Sequence, residues 1–79
     1  MMIKVLFFGA TADIAGKRRQ DLEVTEGEFA SKVFESVLAA HPHLADHKLH
    51  LSVNQQFATG DEIVRDGDEL AIFTAVSGG

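Results

Sequence analysis

The sequence contains no cysteine, no tryptophan and no tyrosine, and it has a single proline. Without thiols a chain forms no disulfide framework, no thiolate zinc site and no cysteine-ligated iron–sulfur cluster, and it has no cysteine nucleophile. It also lacks any apolar run near the ~20 residues of a membrane span, and the apolar stretch 3–8 is too short for a signal peptide and carries Lys4. These absences predict a cytoplasmic protein without a metal–sulfur centre.

Positive charge is scarce: twelve acidic residues stand against seven basic ones, for a net charge of −5. Long-range repulsion therefore opposes binding to nucleic acid or to an anionic membrane. The net charge favours protein partners that have a basic or apolar docking face. Lys17-Arg18-Arg19 is the only basic run, and we interpret it as a solvated turn at the start of a strand.

A chain of 79 residues forms one small domain, 1–79, and the spacing of its apolar residues predicts the elements. Strands are predicted over 2–8, 18–24, 49–53, 56–58 and 69–76, and 9–16 is predicted to be a connection. Thr25 and Glu28 have the spacing of a helix capping box. The apolar stripe of Ala30, Val33, Phe34, Val37 and Leu38 then predicts one main helix that ends near Ala40.

One amphipathic helix covers only one face of a sheet, so the order of the elements predicts a two-layer α+β domain. Its mixed sheet has four to five strands, and the most apolar strands, the first and the last, are expected to be central, parallel neighbours. This is the β-grasp, or ubiquitin-like, arrangement. Period two places Phe8 and Phe73 on the open face. Phe57 either joins them in an exposed patch or belongs to the core.

The sequence contains a cluster of histidines and a cluster of acids, the residue types found in metal sites and in acid–base sites. His41, His43 and His47 surround Pro42, and we interpret these histidines as exposed loop residues because no acid or thiolate converges on them. The acids around Gly67 are explained by turn chemistry. No metal site, bound cofactor, catalytic triad or phosphate loop is predicted.

The chain ends in Val76-Ser77-Gly78-Gly79, which offers little to bury. Glycine loses more backbone entropy on ordering than other residues, so 76–79 is predicted to be a flexible tail. From Val76 onward the tail reaches about 13 Å when it is extended. A narrow channel in a partner can admit such a slim carboxylate.

Four stretches together resemble the small subunit of molybdopterin synthase, a ubiquitin-like sulfur carrier. They are 3–8 (IKVLFF), 53–55 (VNQ), 66–71 (DGDELA) and the VSGG end, and the resemblance spans the whole chain. It implies that a ubiquitin-activating-like adenylyltransferase uses ATP to adenylate Gly79. A sulfur donor then gives a thiocarboxylate, which donates sulfur to cyclic pyranopterin monophosphate. The carrier binds no cofactor of its own.

The resemblance also assigns roles to individual residues. Gly79 carries the thiocarboxylate and Gly78 keeps the tail thin, while partner contacts fall on Phe8, Phe57, Phe73, Val76 and Ser77. Catalytic residues are expected on the large subunit, which forms a heterotetramer of two small and two large subunits.

The sequence departs from the family at two places. Thr74-Ala75 stands where the family often has two prolines, and Ala12 stands before Asp13 where it commonly has arginine. By comparison with the family, the polar contact of that arginine with a partner is either missing here or replaced by Lys17 or Arg18.

Three other functions fit a diglycine end. A thiamine-pathway sulfur carrier shares the fold and the activation chemistry, although the valine and serine before the glycines favour molybdopterin. A ubiquitin-like modifier would form an amide between Gly79 and a lysine. A binding module with an incidental diglycine would need no terminal chemistry at all.

Overall fold

The strands and the main helix follow the apolar spacing of the sequence. The computed structural model describes residues 1–74. The elements in chain order are β1 (Met2–Phe7), α1 (Ala10–Ala15), β2 (Arg19–Glu23), α2 (Ala30–Ala40), a 3₁₀ helix (Pro42–Asp46), β3 (Leu49–Val53), β4 (Gln56–Phe57) and β5 (Glu69–Thr74). None of the described helices is long and apolar enough to cross a membrane.

The five strands form one mixed sheet in the order β2-β1-β5-β3-β4. β1 and β5 are parallel neighbours, with Phe7 opposite Ile72, and the other pairs are antiparallel. The predicted α+β β-grasp architecture is therefore confirmed, including the edge position of β2 and the parallel central pair. Parallel pairing needs a long crossover, and α2 lies within the connection that supplies it.

The core lies between α2 and the inward face of the sheet. Alternate residues of the central strands meet one stripe of the helix, as the periodicity predicted. The buried apolar side chains of this cluster are Ile3, Val5, Phe7, Ala30, Val33, Val37, Leu44, Val64, Leu70 and Ile72. Leu44 of the 3₁₀ helix is fully buried, a role that the short stretch after Pro42 did not reveal.

The prediction that 9–16 is a simple connection was wrong, because residues 10–15 form α1. A helix this short shows no usable periodicity in sequence. Tertiary contacts stabilise α1 instead, because Ile14 and Ala15 pack against the core. Gly16, in the left-handed conformation, ends the helix.

The predicted capping box was also wrong. Helix α2 begins at Ala30, and the hydrogen bond between Thr25 and Glu28 runs from the Glu28 backbone N–H to the Thr25 carbonyl oxygen, 3.2 Å away, without either side chain. The first N–H groups of α2 bond instead to carbonyl oxygens of the β4–β5 connection, Ala30 to Glu62 at 2.8 Å and Ser31 to Gly60 at 3.0 Å. A loop that is distant in the sequence thus accepts the hydrogen bonds that a local capping side chain would otherwise accept.

The last predicted strand is confirmed as far as Thr74. Ala75, Val76, Ser77, Gly78 and Gly79 lie outside the described residues. The predictions of a flexible tail and of tail contacts therefore concern a part of the chain that the structure does not describe.

Candidate docking site

The outward face of the sheet carries an aromatic cluster formed by His50, Phe57 and Phe73. The rings of Phe57 and Phe73 lie 5.7 Å apart between centroids. His50 stacks on Phe73 at 5.7 Å with an interplanar angle of 28° and meets Phe57 edge-on at 6.3 Å. Three strands therefore contribute to one apolar surface, to which we refer as the aromatic cluster.

Phe57 belongs to this surface and not to the core. Its side chain is 78% exposed, although it leans on Phe73, which is half-buried. A bare aromatic ring of this kind is a common feature of surfaces that bind another protein. The core interpretation of Phe57 is therefore wrong, and the exposed-patch interpretation fits its position.

His50 is the residue of the cluster that the sequence did not single out. Alternation along β3 placed Leu49 and Leu51 inward, which leaves His50 outward. Its partner across the sheet is Phe73, and that register comes from the pairing of β3 with β5. Outward alternation was therefore visible in the sequence, whereas the aromatic neighbour was not.

Phe8 lies on the same face but apart from the cluster. It is 52% exposed and lines a groove of about 630 Å³ together with Gly9, Asp13, Arg18 and others. Within residues 1–74, ring contacts join His50, Phe57 and Phe73 but do not include Phe8. The face thus offers two apolar contacts, the aromatic cluster and the Phe8 groove.

The end of β5 is held firmly between its neighbours. Phe8 donates its backbone N–H to the Ile72 carbonyl oxygen at 3.0 Å, and Thr74 lies opposite Leu49. The hydroxyl of Thr11, which is fully buried, lies 2.6 Å from the Phe8 carbonyl oxygen and 3.0 Å from that of Ile72. The point from which the chain continues toward Gly79 is therefore fixed on both sides.

The histidines do not converge on a common point. His43 and His47 are exposed, as expected, but His41 is half-buried and sets its ring edge-on to Phe7 at 5.6 Å. Its Nε2 lies 3.4 Å from Gln20 Oε1. In the described part of the chain, no group of three or more histidine or acidic side chains is arranged to hold a metal ion.

The acids around Gly67 act in turns, as predicted. Asp66 accepts the backbone N–H of Met2 at 2.9 Å. Asp68 accepts the backbone N–H of Arg65 at 2.8 Å and an amide hydrogen of Asn54 at 3.0 Å. These bonds tie the start of β5 to β1 and to the β3–β4 turn, so the carboxylates have structural partners.

Of the two departures from the family pattern, the one at Ala12 and Asp13 lies at the groove beside Phe8. Ala12 packs against the core, and Asp13 and Arg18 both line the groove beside Phe8. The structure describes neither partner nor tail contacts for Phe8, Phe57 and Phe73. Their roles, and those of the residues after Thr74, stay predictions.

Comparison with known proteins identifies related chains. A relative from Chlamydomonas reinhardtii, named molybdopterin synthase sulfur carrier subunit, is 34% identical over 83 residues, with all of both chains covered. The crystal structure of SAMP1 from Haloferax volcanii superposes with a TM-score of 0.87 at 26% identity, again over all of both chains.

A third similar structure comes from a complex. It is the complex of subunits 1 and 2 of the molybdopterin-converting factor from Helicobacter pylori, in which the matching chain has a TM-score of 0.72 and 20% identity over all of both chains. At this identity the likeness concerns the fold. The model of the ThiS family matches residues 5–79, nearly the whole sequence. This chain therefore belongs to the ThiS family.

Proposed function

We propose that this chain is the sulfur carrier subunit of a molybdopterin synthase. The observation that carries the proposal is the position of β5, which brings Thr74 to the edge of an exposed aromatic face. In the sequence only Ala75 separates Thr74 from Val76-Ser77-Gly78-Gly79. Residues 75–79 reach at most about 17 Å when extended. A partner seated on the aromatic cluster is then within reach of Gly79. The name and full coverage of the algal relative support the same function.

The chemistry follows from the weakness of a carboxylate as an electrophile. The carboxylate of Gly79 is anionic at neutral pH, so a partner must first convert it to an acyl-adenylate with ATP. A sulfur nucleophile then attacks the acyl carbon, a C–S bond forms, and the C–O bond to AMP breaks. The resulting thiocarboxylate donates sulfur to cyclic pyranopterin monophosphate. ATP and the catalytic groups belong to the partners.

Two partners are proposed for the same face. The large synthase subunit receives the tail for sulfur transfer, and an adenylyltransferase of the ubiquitin-activating type receives it for activation. Phe57 and Phe73 supply the apolar contact, and Phe8 supplies a second one at the groove. Val76 and Ser77, the first residues of the tail, contact the partner where the tail enters it. The complex of two subunits from Helicobacter pylori is consistent with such docking. The proposed location is the cytoplasm.

Complementation tests this proposal. Bacterial cells that lack their own small synthase subunit should regain molybdoenzyme activity when they express this chain, and a variant without Gly79 should not restore it. The same chain should fail to rescue cells that lack the thiamine-pathway carrier. Rescue of the thiamine strain alone would assign the chain to that pathway instead.

A protein modifier is the second candidate, favoured by the likeness to SAMP1, whose name denotes a small archaeal modifier protein. In that case Gly79 would become amide-linked to lysines of other proteins. Lysis under thiol-reducing conditions, followed by mass spectrometry of tagged chains, distinguishes the two. Lysine adducts that depend on Gly79 would support the modifier, and their absence supports the carrier.

A further inference from the structure

Charge is distributed unevenly between the two ends of the sheet. β1 and β5 are parallel, so Phe7 and Thr74 lie at the same end, to which we refer as the tail end. β2 runs antiparallel to β1 and therefore begins at the tail end, with Arg19 opposite Leu6. β3 runs antiparallel to β5 and also begins there, with Leu49 opposite Thr74.

Basic side chains stand on both sides of Thr74 at the tail end. Arg18 accepts the backbone N–H of Phe7 at its carbonyl oxygen, and Lys17 precedes it. Lys48 comes immediately before Leu49, on the other side. All three side chains are exposed, and among the described residues none of them has an ion pair. We refer to Lys17, Arg18 and Lys48 as the basic collar.

The neighbours of the collar do not cancel its charge. Arg19 is excluded from it because Arg19 already pairs with Asp21 at 3.5 Å. The acids nearby in the chain are Asp13, which shares the groove with Arg18, and Asp46, which ends the 3₁₀ helix. The collar is therefore a region of net positive charge on a chain whose net charge is −5.

The opposite end of the sheet is acidic. β2 ends there, the loop that bonds to the start of α2 lies there, and so does the turn that leads into β5. The acids between the end of β2 and α2, and from the β4–β5 connection to the start of β5, are Glu23, Glu26, Glu28, Asp61, Glu62, Asp66, Asp68 and Glu69. They outnumber the positive groups at this end, which are Lys4, Arg65 and the N-terminal amine. The molecule is consequently an electrical dipole, and its positive end is the one from which the chain continues toward Gly79.

We infer that the basic collar binds an acidic rim around the channel of the partner protein that accepts the tail, and that it orients the tail end toward that rim during approach. Interfaces combine an apolar centre with a charged periphery, and peripheral charges act mainly on the association rate. The aromatic cluster supplies the centre here, and the collar supplies the periphery. The net charge of the whole chain favours a partner with a basic docking face. The positions of the charged side chains in the fold instead favour an acidic docking face on the partner opposite the tail end.

The inference rests on the proposed function, because the partner is the large synthase subunit. It is tested by stopped-flow association of the full chain with that purified subunit over a series of salt concentrations. The variants are Arg18→Glu and Lys48→Glu, one on each side of Thr74, and the control is Arg65→Glu at the acidic end. All three change the net charge equally. Circular dichroism and urea unfolding verify that each variant is folded.

We expect the association rate of the wild type to fall as salt rises, because salt screens the attraction. At low salt each collar variant should associate on the order of tenfold more slowly than wild type, while Arg65→Glu should not be slowed. The difference should disappear near 1 M salt, where the screening length is about 3 Å. Dissociation rates should change little by comparison.

Two other outcomes have distinct meanings. Equal association rates for the collar variants and Arg65→Glu, with complex formation intact, would overturn the role of the collar and leave the carrier function standing. A wild-type chain that forms no complex with the large subunit at any salt concentration would overturn both the proposed function and this inference.

Discussion

At the scale of the residue, the hydroxyl of Thr11 joins the ends of the two central strands. It is the buried polar side chain of the described core and contacts the carbonyl oxygens of Phe8 and Ile72. We expect Thr11→Val to lower the free energy of unfolding by about 0.5–1.5 kcal/mol, the net value of one hydrogen bond. The loss stays moderate because both carbonyl oxygens keep a backbone donor. Urea unfolding measures it.

Thr25→Val is the matched control, because it makes the same chemical change at an exposed turn. It should change the unfolding free energy by less than about 0.5 kcal/mol. A true capping box at Thr25 would make this variant cost about 1 kcal/mol. A larger loss for Thr25→Val than for Thr11→Val would contradict both the role of Thr11 and the assigned start of α2.

Phe57 tests the docking face at the same scale. Because its ring is 78% exposed, Phe57→Ala should leave stability within about 0.5 kcal/mol of wild type. Loss of its burial in a complex should weaken binding to the large subunit by about 1.5–3 kcal/mol, or about tenfold to a hundredfold. Calorimetric titration measures both affinities. The control is Phe29→Ala, because Phe29 is 48% exposed and directly precedes α2, which covers the inward face of the sheet. Phe29→Ala should bind as wild type does, and equal losses in the two variants would exclude the outward face.

At the scale of the element, the β4–β5 connection holds the start of α2. Gly60 has φ +108°, and a Cβ there would lie 3.2 Å from Ser31 Cβ. We therefore expect Gly60→Ala to destabilise through both backbone strain and close approach. Gly27→Ala is the control, since Gly27 has φ +82° but no atom within 4 Å of such a Cβ. Strain alone should cost about 1–2 kcal/mol in Gly27→Ala, and Gly60→Ala should exceed it by about 1 kcal/mol or more. Thermal unfolding that ranks them in reverse would refute the close approach.

Glu62 fixes the same connection through its carboxylate. The backbone N–H of Thr59 at 2.9 Å, and then that of Gly60 at 2.8 Å, lower the pKa of Glu62 below its ordinary value of 4.5. A carboxylate whose pKa is lower in the folded state contributes stability above its unfolded pKa and loses it as pH falls through the folded pKa. The loop should therefore weaken below about pH 4.5, in the acid range.

The variant Glu62→Gln tests whether the Glu62 carboxylate makes stability depend on pH in this way. The variant should be less stable than wild type at pH 7. The difference in unfolding free energy between the two proteins should become smaller as the pH falls below the ordinary pKa of the carboxyl. Urea unfolding from pH 7 to pH 3 measures this difference. In Glu26→Gln, whose carboxylate accepts no hydrogen bond among the described residues, the difference should stay small throughout. A difference for Glu62→Gln that grows in acid would contradict this pH dependence.

These elements also show what sequence can predict. Period two located β1, β3 and β5, and the stripe from Ala30 to Leu38 located α2, because each has a face buried along several turns or residues. The start of α2 and the existence of α1 were missed because loop carbonyls and tertiary packing decide them. Neither contribution is local, so neither leaves a pattern in the sequence.

At the scale of the whole molecule, the sheet gathers groups that are far apart in the chain. Phe73 was predicted on the open face and Phe57 was left open between that face and the core, whereas their contact and the stacking of His50 depend on strand register. The basic run at Lys17 was visible in the sequence, whereas Lys48 joins it only because β2 and β3 begin at the same end of the sheet. The parts of the site were thus predictable, and their grouping required the fold.

The sulfur-carrier function is tested by the intact mass of the purified chain after incubation with ATP, an adenylyltransferase of the molybdopterin pathway and a sulfur source. We expect one terminal oxygen to be replaced by sulfur, and we expect deletion of Gly79 to abolish the change. The Phe57→Ala chain should gain the same mass more slowly, because it docks less tightly. An unchanged mass, despite a demonstrated complex between the chain and the activating enzyme, would contradict the sulfur-carrier function.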